Sequence, residues 1–353
     1  MDISKIDKNF IIESKINNDN IEWIKLEDKR IRVYGAASYS PVTRMPVEIA
    51  NKVNGGVSVL NYHTAGIRLH IRTNSKNIAL NVEWKSKNDM PHMASSGQNG
   101  FDIYRIVDGM QRFMGAYIPR ADAMITNGFE GIIGTGGNMC DYVINFPLYN
   151  AVNNVYVGVD KNAEFEEPAK YINDGAPVVF YGSSITQGGC ASRPGNSYQN
   201  FLSRKFNLDF INLGFSGSAK GEPEIAEYMA GLKMSAFVSD YDHNAPTAEH
   251  LENTHYNLYK TIRDKNPDIP YIMLSRPTYG LGNADEQHRR EIIRNTYLKA
   301  KENGDNNVYF VDGADIYNCD MGDSMTVDGS HPTDLGFYRF YEVLKPLFEK
   351  LFG

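Results

Sequence analysis

The chain has 353 residues, 42% hydrophobic and 22% charged, an ordinary globular composition with apolar material for more than one core. Lysine and arginine number 36 against 43 acidic residues, a net charge of -7, and no basic tract runs beyond pairs such as Arg289-Arg290. Nucleic acid and anionic membrane surfaces are therefore disfavoured as partners.

The amino-terminal stretch MDISKIDKNFIIESK mixes charges with short apolar runs and lacks the uninterrupted core of a signal peptide. No stretch approaches the roughly 18 apolar residues of a membrane span. Cys140, Cys190 and Cys319 form neither an even framework nor a CxxC pair, which fits a reducing compartment and suggests no disulfide scaffold or cysteine-rich metal site. The expectation is a cytoplasmic protein.

From about residue 20 to 160 the signals are short and strand-like. Ile67, Leu69 and Ile71 alternate with Arg68, His70 and Arg72, and Ile78, Leu80, Val82 and Trp84 keep the same period of two. Such alternation predicts strands with one buried and one solvated face. Turns at Asn54-Gly55-Gly56, Gly97 to Gly100 and Gly134 to Asn138 separate the runs, with hardly any helical pattern between them. Residues 1–160 read as an all-β, jelly-roll-like sandwich domain in which Trp84 is core rather than a sugar platform. Residues 161–176, acidic and poor in large aliphatics, read as a connection.

Residues 177–353 alternate strands and helices. The strands are Pro177 to Tyr181, Asp209 to Leu213, Ala236 to Ser239, Tyr271 to Leu274 and Val308 to Val311. The helices are Ser197 to Phe206, Pro223 to Leu232, one opened by Pro246-Thr247, one near Asp285 to Glu302, and Asp334 to Leu351. Five strands each followed by a helix predict a three-layer α/β/α domain with a five-stranded parallel sheet. Ligands of such sheets sit beyond the carboxyl ends of the strands, at loops 182–195, 214–221, 240–246, 275–284 and 313–333.

Acyl transfer through a nucleophile needs a hydroxyl, a base, a carboxylate to orient the base, and donors for an oxyanion. These loops offer all four: Gly182-Ser183-Ser184-Ile185-Thr186, then Gly214-Phe215-Ser216-Gly217, then Asp240-Tyr241-Asp242-His243-Asn244, then Asp328-Gly329-Ser330-His331. Their order and spacing resemble the SGNH, or GDSL-type, hydrolases over residues 177–351. The resemblance implies Ser184 as nucleophile, His331 as base and Asp328 as its orienting acid. It implies an oxyanion hole from the N–H groups of Ser184 and Gly217 and the amide of Asn244. Two positions depart from the family pattern. Ser183 stands where the family has aspartate, and the third block reads Asp-Tyr-Asp-His-Asn-Ala-Pro instead of Gly-x-Asn-Asp. With the amino-terminal sandwich, that variant is similar to carbohydrate acetylesterases and to esterases of small metabolites.

Taken alone, Ser184 is a turn serine, and a Gly-Ser-Ser turn also suits phosphate at a helix start. Residues 182–195 lack the lysine of a phosphate loop and the Gly-x-Gly-x-x-Gly spacing of a dinucleotide turn. Asp240 and Asp242 have only His243 as a nearby nitrogen ligand, so neither a metal nor another cofactor is expected. His243 reads as a pocket or structural hydrogen-bonder, and Arg276 equally as pocket-lining or ion-paired. The function expected is removal of acyl groups, most simply acetyl, from a carbohydrate. The alternatives are a small-metabolite esterase and a glycan-binding protein without activity.

Overall fold

The computed structural model describes residues 14–16, 20–86, 88–120, 127–280 and 282–353. Of the amino-terminal stretch 1–15, read as lacking a signal-peptide core, residues 1–13 lie outside the described residues.

The first half holds two large antiparallel sheets and a small one that pairs Ser38–Tyr39 with Val42–Thr43. One large sheet runs in the order Ile21–Lys25, Ala151–Asp160, Asn77–Ser86, Gly128–Gly134. The other runs Phe165–Glu166, Arg68–Thr73, Cys140–Asn145, Phe101–Val107, Met110–Tyr117, with Ile31–Tyr34 also paired to Arg68–Thr73. The period-two residues do what alternation requires: Leu69, Ile71, Ile103 and Ile144 meet Ile78, Leu80, Val155 and Val157 in one shared core. Trp84 lies in that core, stacked on Phe129 at 5.3 Å.

The other face of Arg68–Thr73 is not solvated as the alternation predicts. Arg68 and His70 are buried because residues of the connection and of the second half cover them. The Arg68 guanidinium pairs with the Asp209 carboxylate, lies 3.8 Å from the Phe210 ring centroid and is bonded to the Phe210 carbonyl. His70 Nε2 contacts the Tyr171 hydroxyl at 3.0 Å. The connection itself is partly built into the sheet through Phe165–Glu166.

A second difference concerns residues 47–60. Helices Val47–Val53 and Gly55–Leu60 occupy a stretch where only turns are expected, and Asn54, at their junction, caps the second by accepting from Val57 N–H at 2.9 Å. Met45, Ala50 and Val57 pack with Ile225 and Met229 of the second half. The boundary at residue 160 therefore does not separate two independently packed units.

The second half follows its predicted series closely. The parallel sheet has the order Phe210–Gly214, Val178–Gly182, Ala236–Asp240, Tyr271–Leu274, Val308–Val311. Val178–Gly182 and Ala236–Asp240 are buried along their whole length, as strands with helices on both faces must be. Helices Tyr198–Phe206 and Asp334–Phe352 cover one face. Pro223–Ala230, Ala248–Lys265 and Ala284–Glu302 cover the other. Thr247 caps Ala248–Lys265 by accepting from His250 N–H, and Asn283 with Glu286 forms a capping box that starts Ala284–Glu302. The strand order reverses direction on either side of Val178–Gly182, so the crevice for a ligand opens at the end of that strand. Among the described residues no helix is long and apolar enough to cross a membrane.

Candidate active site

Strand Val178–Gly182 ends under two constraints. A Cβ on Gly182 would fall 2.3 Å from the Asp240 carbonyl oxygen, so only glycine lets the neighbouring strand pass there. Ser183 then caps the four-residue helix Ser184–Gln187: its hydroxyl accepts from Ile185 N–H, and its own N–H donates to the Asp240 carbonyl at 2.9 Å. Ser183 is fully buried and committed to the backbone. Ser184 is the first residue of that helix. Gly188 closes it at φ 102°, in the left-handed region that favours glycine.

The Ser184 hydroxyl faces His331. Its Oγ lies 2.9 Å from His331 Nε2, and His331 Nδ1 lies 2.7 Å from Asp328 Oδ2. The other Asp328 oxygen accepts from Ser330 N–H at 3.0 Å and His331 N–H at 2.8 Å, so one carboxylate shapes the turn and orients the ring. Partial burial opposes ionisation of Asp328, but these two N–H groups and the imidazole outweigh it and hold the carboxyl down to about 2. The carboxylate fixes the proton on Nδ1 and leaves the Nε2 lone pair toward Ser184.

Among the described residues nothing accepts from Ser184 N–H, as expected for the first turn of a helix. Asn244 spans the second loop: its Oδ1 accepts from Gly217 N–H at 3.0 Å and its Nδ2 donates to the Phe215 carbonyl at 2.9 Å. Those partners settle the amide orientation and leave one Nδ2 hydrogen free. Gly217 sits at φ 65° in that loop. Its N–H is engaged by Asn244 and is not an open oxyanion donor in this structure.

Arg276 is ion-paired in this structure, and among the described residues His243 makes no hydrogen bond through Nε2. Arg276 Nε is 3.4 Å from Asp242 Oδ2, its backbone N–H donates to the same oxygen, and Arg289 Nη1 reaches Asp242 Oδ1 at 3.2 Å. The third-block aspartate is therefore a buried, doubly paired anchor for its loop. His243 Nε2 is sealed from solvent without a hydrogen-bond partner, and burial with the neighbouring Arg276 and His331 charges pushes that imidazole down to about 3. Asp240, beneath the nucleophile loop, accepts from the Thr186 hydroxyl at 2.9 Å, and burial pushes its carboxyl up to about 8.

Several residues at the site carried no signal in the sequence. Tyr149, from the sandwich half, donates its hydroxyl to the Ser184 carbonyl at 3.1 Å. Gln187, inside the nucleophile stretch, is fully buried. Its Oε1 accepts from Ser216 N–H, its Nε2 donates to the Leu148 carbonyl, and that amide nitrogen lies 3.1 Å from His63 Nδ1. His92, in the turn before the short helix Ser95–Gln98, sits with its ring centroid 5.8 Å from that of His331. Cys190 is buried beside them at φ 74°, and burial with the nearby Asp328 charge holds its thiol up at about 11. No spacing rule could place His92 or Cys190 next to His331, because the three come from three separate segments. The close fit is enforced by Gly97, where a Cβ would lie 1.9 Å from the Ala191 carbonyl oxygen.

Residues 175–349 match the GDSL-like lipase/acylhydrolase family, and residues 21–165 match the N-terminal domain of SGNH-hydrolase-type esterases. Among solved structures, a GDSL-like lipase candidate from Bacteroides ovatus shares 27% identity at a TM-score of 0.83, with 94% of this chain and 98% of that chain covered. A salicylyl-acyltransferase from a tetracycline biosynthetic pathway aligns at a TM-score of 0.77 and 20% identity, covering 95% and 98%. An acetyl xylan esterase from the rumen bacterium Butyrivibrio proteoclasticus aligns at 0.60 and 13% identity, covering 94% and 98%. Among curated protein sequences none matches.

Proposed function

Starting from a chain that belongs to the SGNH/GDSL-type hydrolases and is an esterase by that membership, we propose that it removes acetyl groups from a carbohydrate through an acyl-enzyme on Ser184. The observation that carries the proposal is the unbroken line from Ser184 Oγ through His331 Nε2 and Nδ1 to Asp328, at 2.9 and 2.7 Å.

In this reading His331 takes the Ser184 proton as the hydroxyl attacks the ester carbonyl, and Asp328 steadies the imidazolium that forms. The tetrahedral oxyanion is held by Ser184 N–H and the free Nδ2 hydrogen of Asn244. Gly217 acts through Asn244, whose carbonyl oxygen it anchors. His331 returns its proton to the departing sugar oxygen. Water activated by the same nitrogen then releases acetate.

Likeness in fold to carbohydrate esterases, including one solved with cellohexaose, supports the carbohydrate half of the proposal. Likeness to the salicylyl-acyltransferase supports a second reading in which an alcohol replaces water as acyl acceptor. The test is acetate release from a panel of acetylated oligosaccharides, run for wild type and Ser184→Ala, with and without an added alcohol acceptor. Acetate release lost in Ser184→Ala is expected. Equal rates for the two proteins would overturn the proposal, and ester product formed in preference to acetate would favour transfer.

A further inference from the structure

We infer that His92, Cys190 and His331 together form a binding site for a zinc-class divalent cation, and that filling it takes His331 away from Ser184. The three ligand atoms, two imidazole nitrogens and one sulfur, lie within 4.8 Å of one another. Two nitrogens and a thiolate suit zinc and its soft or borderline neighbours and not magnesium or calcium.

Zinc sits about 2.0 to 2.3 Å from such ligands, so the donors must close by about 1 Å around the ion. His92 is exposed, on a turn, and is the ligand free to make that movement. Cys190 is fixed, since its backbone follows the Gly188–Gly189 turn and its side chain is buried in the second-half core.

The arrangement that prepares His331 to be a base also prepares it to be a ligand. Asp328 accepts from Nδ1 at 2.7 Å and leaves the Nε2 lone pair outward, the carboxylate–histidine pairing that supports metal-bound imidazoles. A catalytic imidazole alone binds such ions weakly. Here a cysteine from the nucleophile loop and a histidine from the sandwich half convert it into a three-point chelate. Binding releases one proton, that of the Cys190 thiol, while both histidines bind neutral. The ion then occupies the Nε2 lone pair that Ser184 Oγ–H faces at 2.9 Å. The proposed brake on turnover rests on the Ser184 esterase reading. The binding site does not.

Two measurements separate these. Full-length protein stripped with chelator is titrated with Co²⁺, and the thiolate-to-cobalt absorption band is followed. Wild type is expected to show it at one equivalent, and Cys190→Ser to lack it. In parallel, hydrolysis of a chromogenic acetyl ester is titrated with Zn²⁺. Wild type is expected to be inhibited and to recover on adding chelator. Cys190→Ser and the exposed-site variant His92→Gln, each compared with its own zinc-free turnover, are expected to need at least about tenfold more zinc. No cobalt–thiolate band in wild type overturns the site. A band with zinc inhibition unchanged in both variants overturns the brake. Absence of any basal turnover would count against the esterase reading alone, because the cobalt spectrum does not depend on it.

Discussion

Replacing Asn244 with alanine tests the oxyanion geometry and separates its chemical from its structural part. The side chain makes two loop bonds, one from Gly217 N–H and one to the Phe215 carbonyl, and has one amide hydrogen left over. Losing two buried bonds costs about 2 kcal/mol at about 1 kcal/mol each. Because the two halves share a core, the whole chain melts as the unit, and at about 2.1 cal/mol/K per residue that lowers the melting temperature by roughly 3 °C. Losing an oxyanion donor costs about 3 kcal/mol in the transition state, or roughly 100-fold or more in kcat. The two effects are read separately: melting by circular dichroism, and steady-state hydrolysis of p-nitrophenyl acetate well below the new melting temperature. The expected result is a fall in kcat of about two orders of magnitude with KM little changed. A variant that melts lower but keeps wild-type kcat would refute the oxyanion assignment and leave Asn244 as a loop brace only.

Asp328→Asn is expected to lower kcat/KM by about three to four orders of magnitude, since an amide can hold the ring in the wrong tautomer, and the same ester assay checks it. In wild type the depressed Asp328 carboxyl contributes stability that is present above the ordinary value of 3.8 and lost as pH falls through about 2. Acid titration followed by circular dichroism should therefore place that loss below pH 4, with Asp328→Asn flatter there. Asp240 has the opposite sign. Its carboxyl is raised to about 8, so the stability it gives is complete below pH 3.8 and lost as pH rises through 8. Melting curves should show Asp240→Asn gaining on wild type between pH 4 and 8. Arg68→Ala leaves Asp209 buried without its partner and should destabilise by about 3 to 5 kcal/mol in urea unfolding.

The parallel sheet was legible because strands buried on both faces must be apolar runs, and Val178 to Tyr181, Ala236 to Val238 and Tyr271 to Leu274 are such runs. The loops after Val178–Gly182, Ala236–Asp240 and Val308–Val311 carried Ser184, Asn244, Asp328 and His331 in order, and the structure brings the serine, histidine and aspartate into one hydrogen-bonded line. Other features depend on long-range contacts that leave no local trace. Arg68 and His70 follow a solvated-face pattern yet are buried, because an arginine can pair with Asp209 from another part of the chain. Helices Val47–Val53 and Gly55–Leu60 are short, valine-rich and interrupted by Asn54-Gly55-Gly56, so propensity opposes them and packing against Ile225 and Met229 decides. The engagement of Gly217 N–H needed the orientation of one amide, which spacing cannot supply.

Those two short helices also bear on the order in which the chain can be made and folded. Synthesis runs from the amino terminus, so Met45, Ala50 and Val57 leave the ribosome long before Ile225 and Met229, the residues they pack against. Ile31–Tyr34 can pair with Arg68–Thr73 soon after they emerge, while this apolar segment lacks its partner until helix Pro223–Ala230 exists. The nascent chain thus carries a sticky, unpartnered patch through about half of the synthesis of these 353 residues, and refolding from denaturant must close the same long loop before the hydrolase wall is complete.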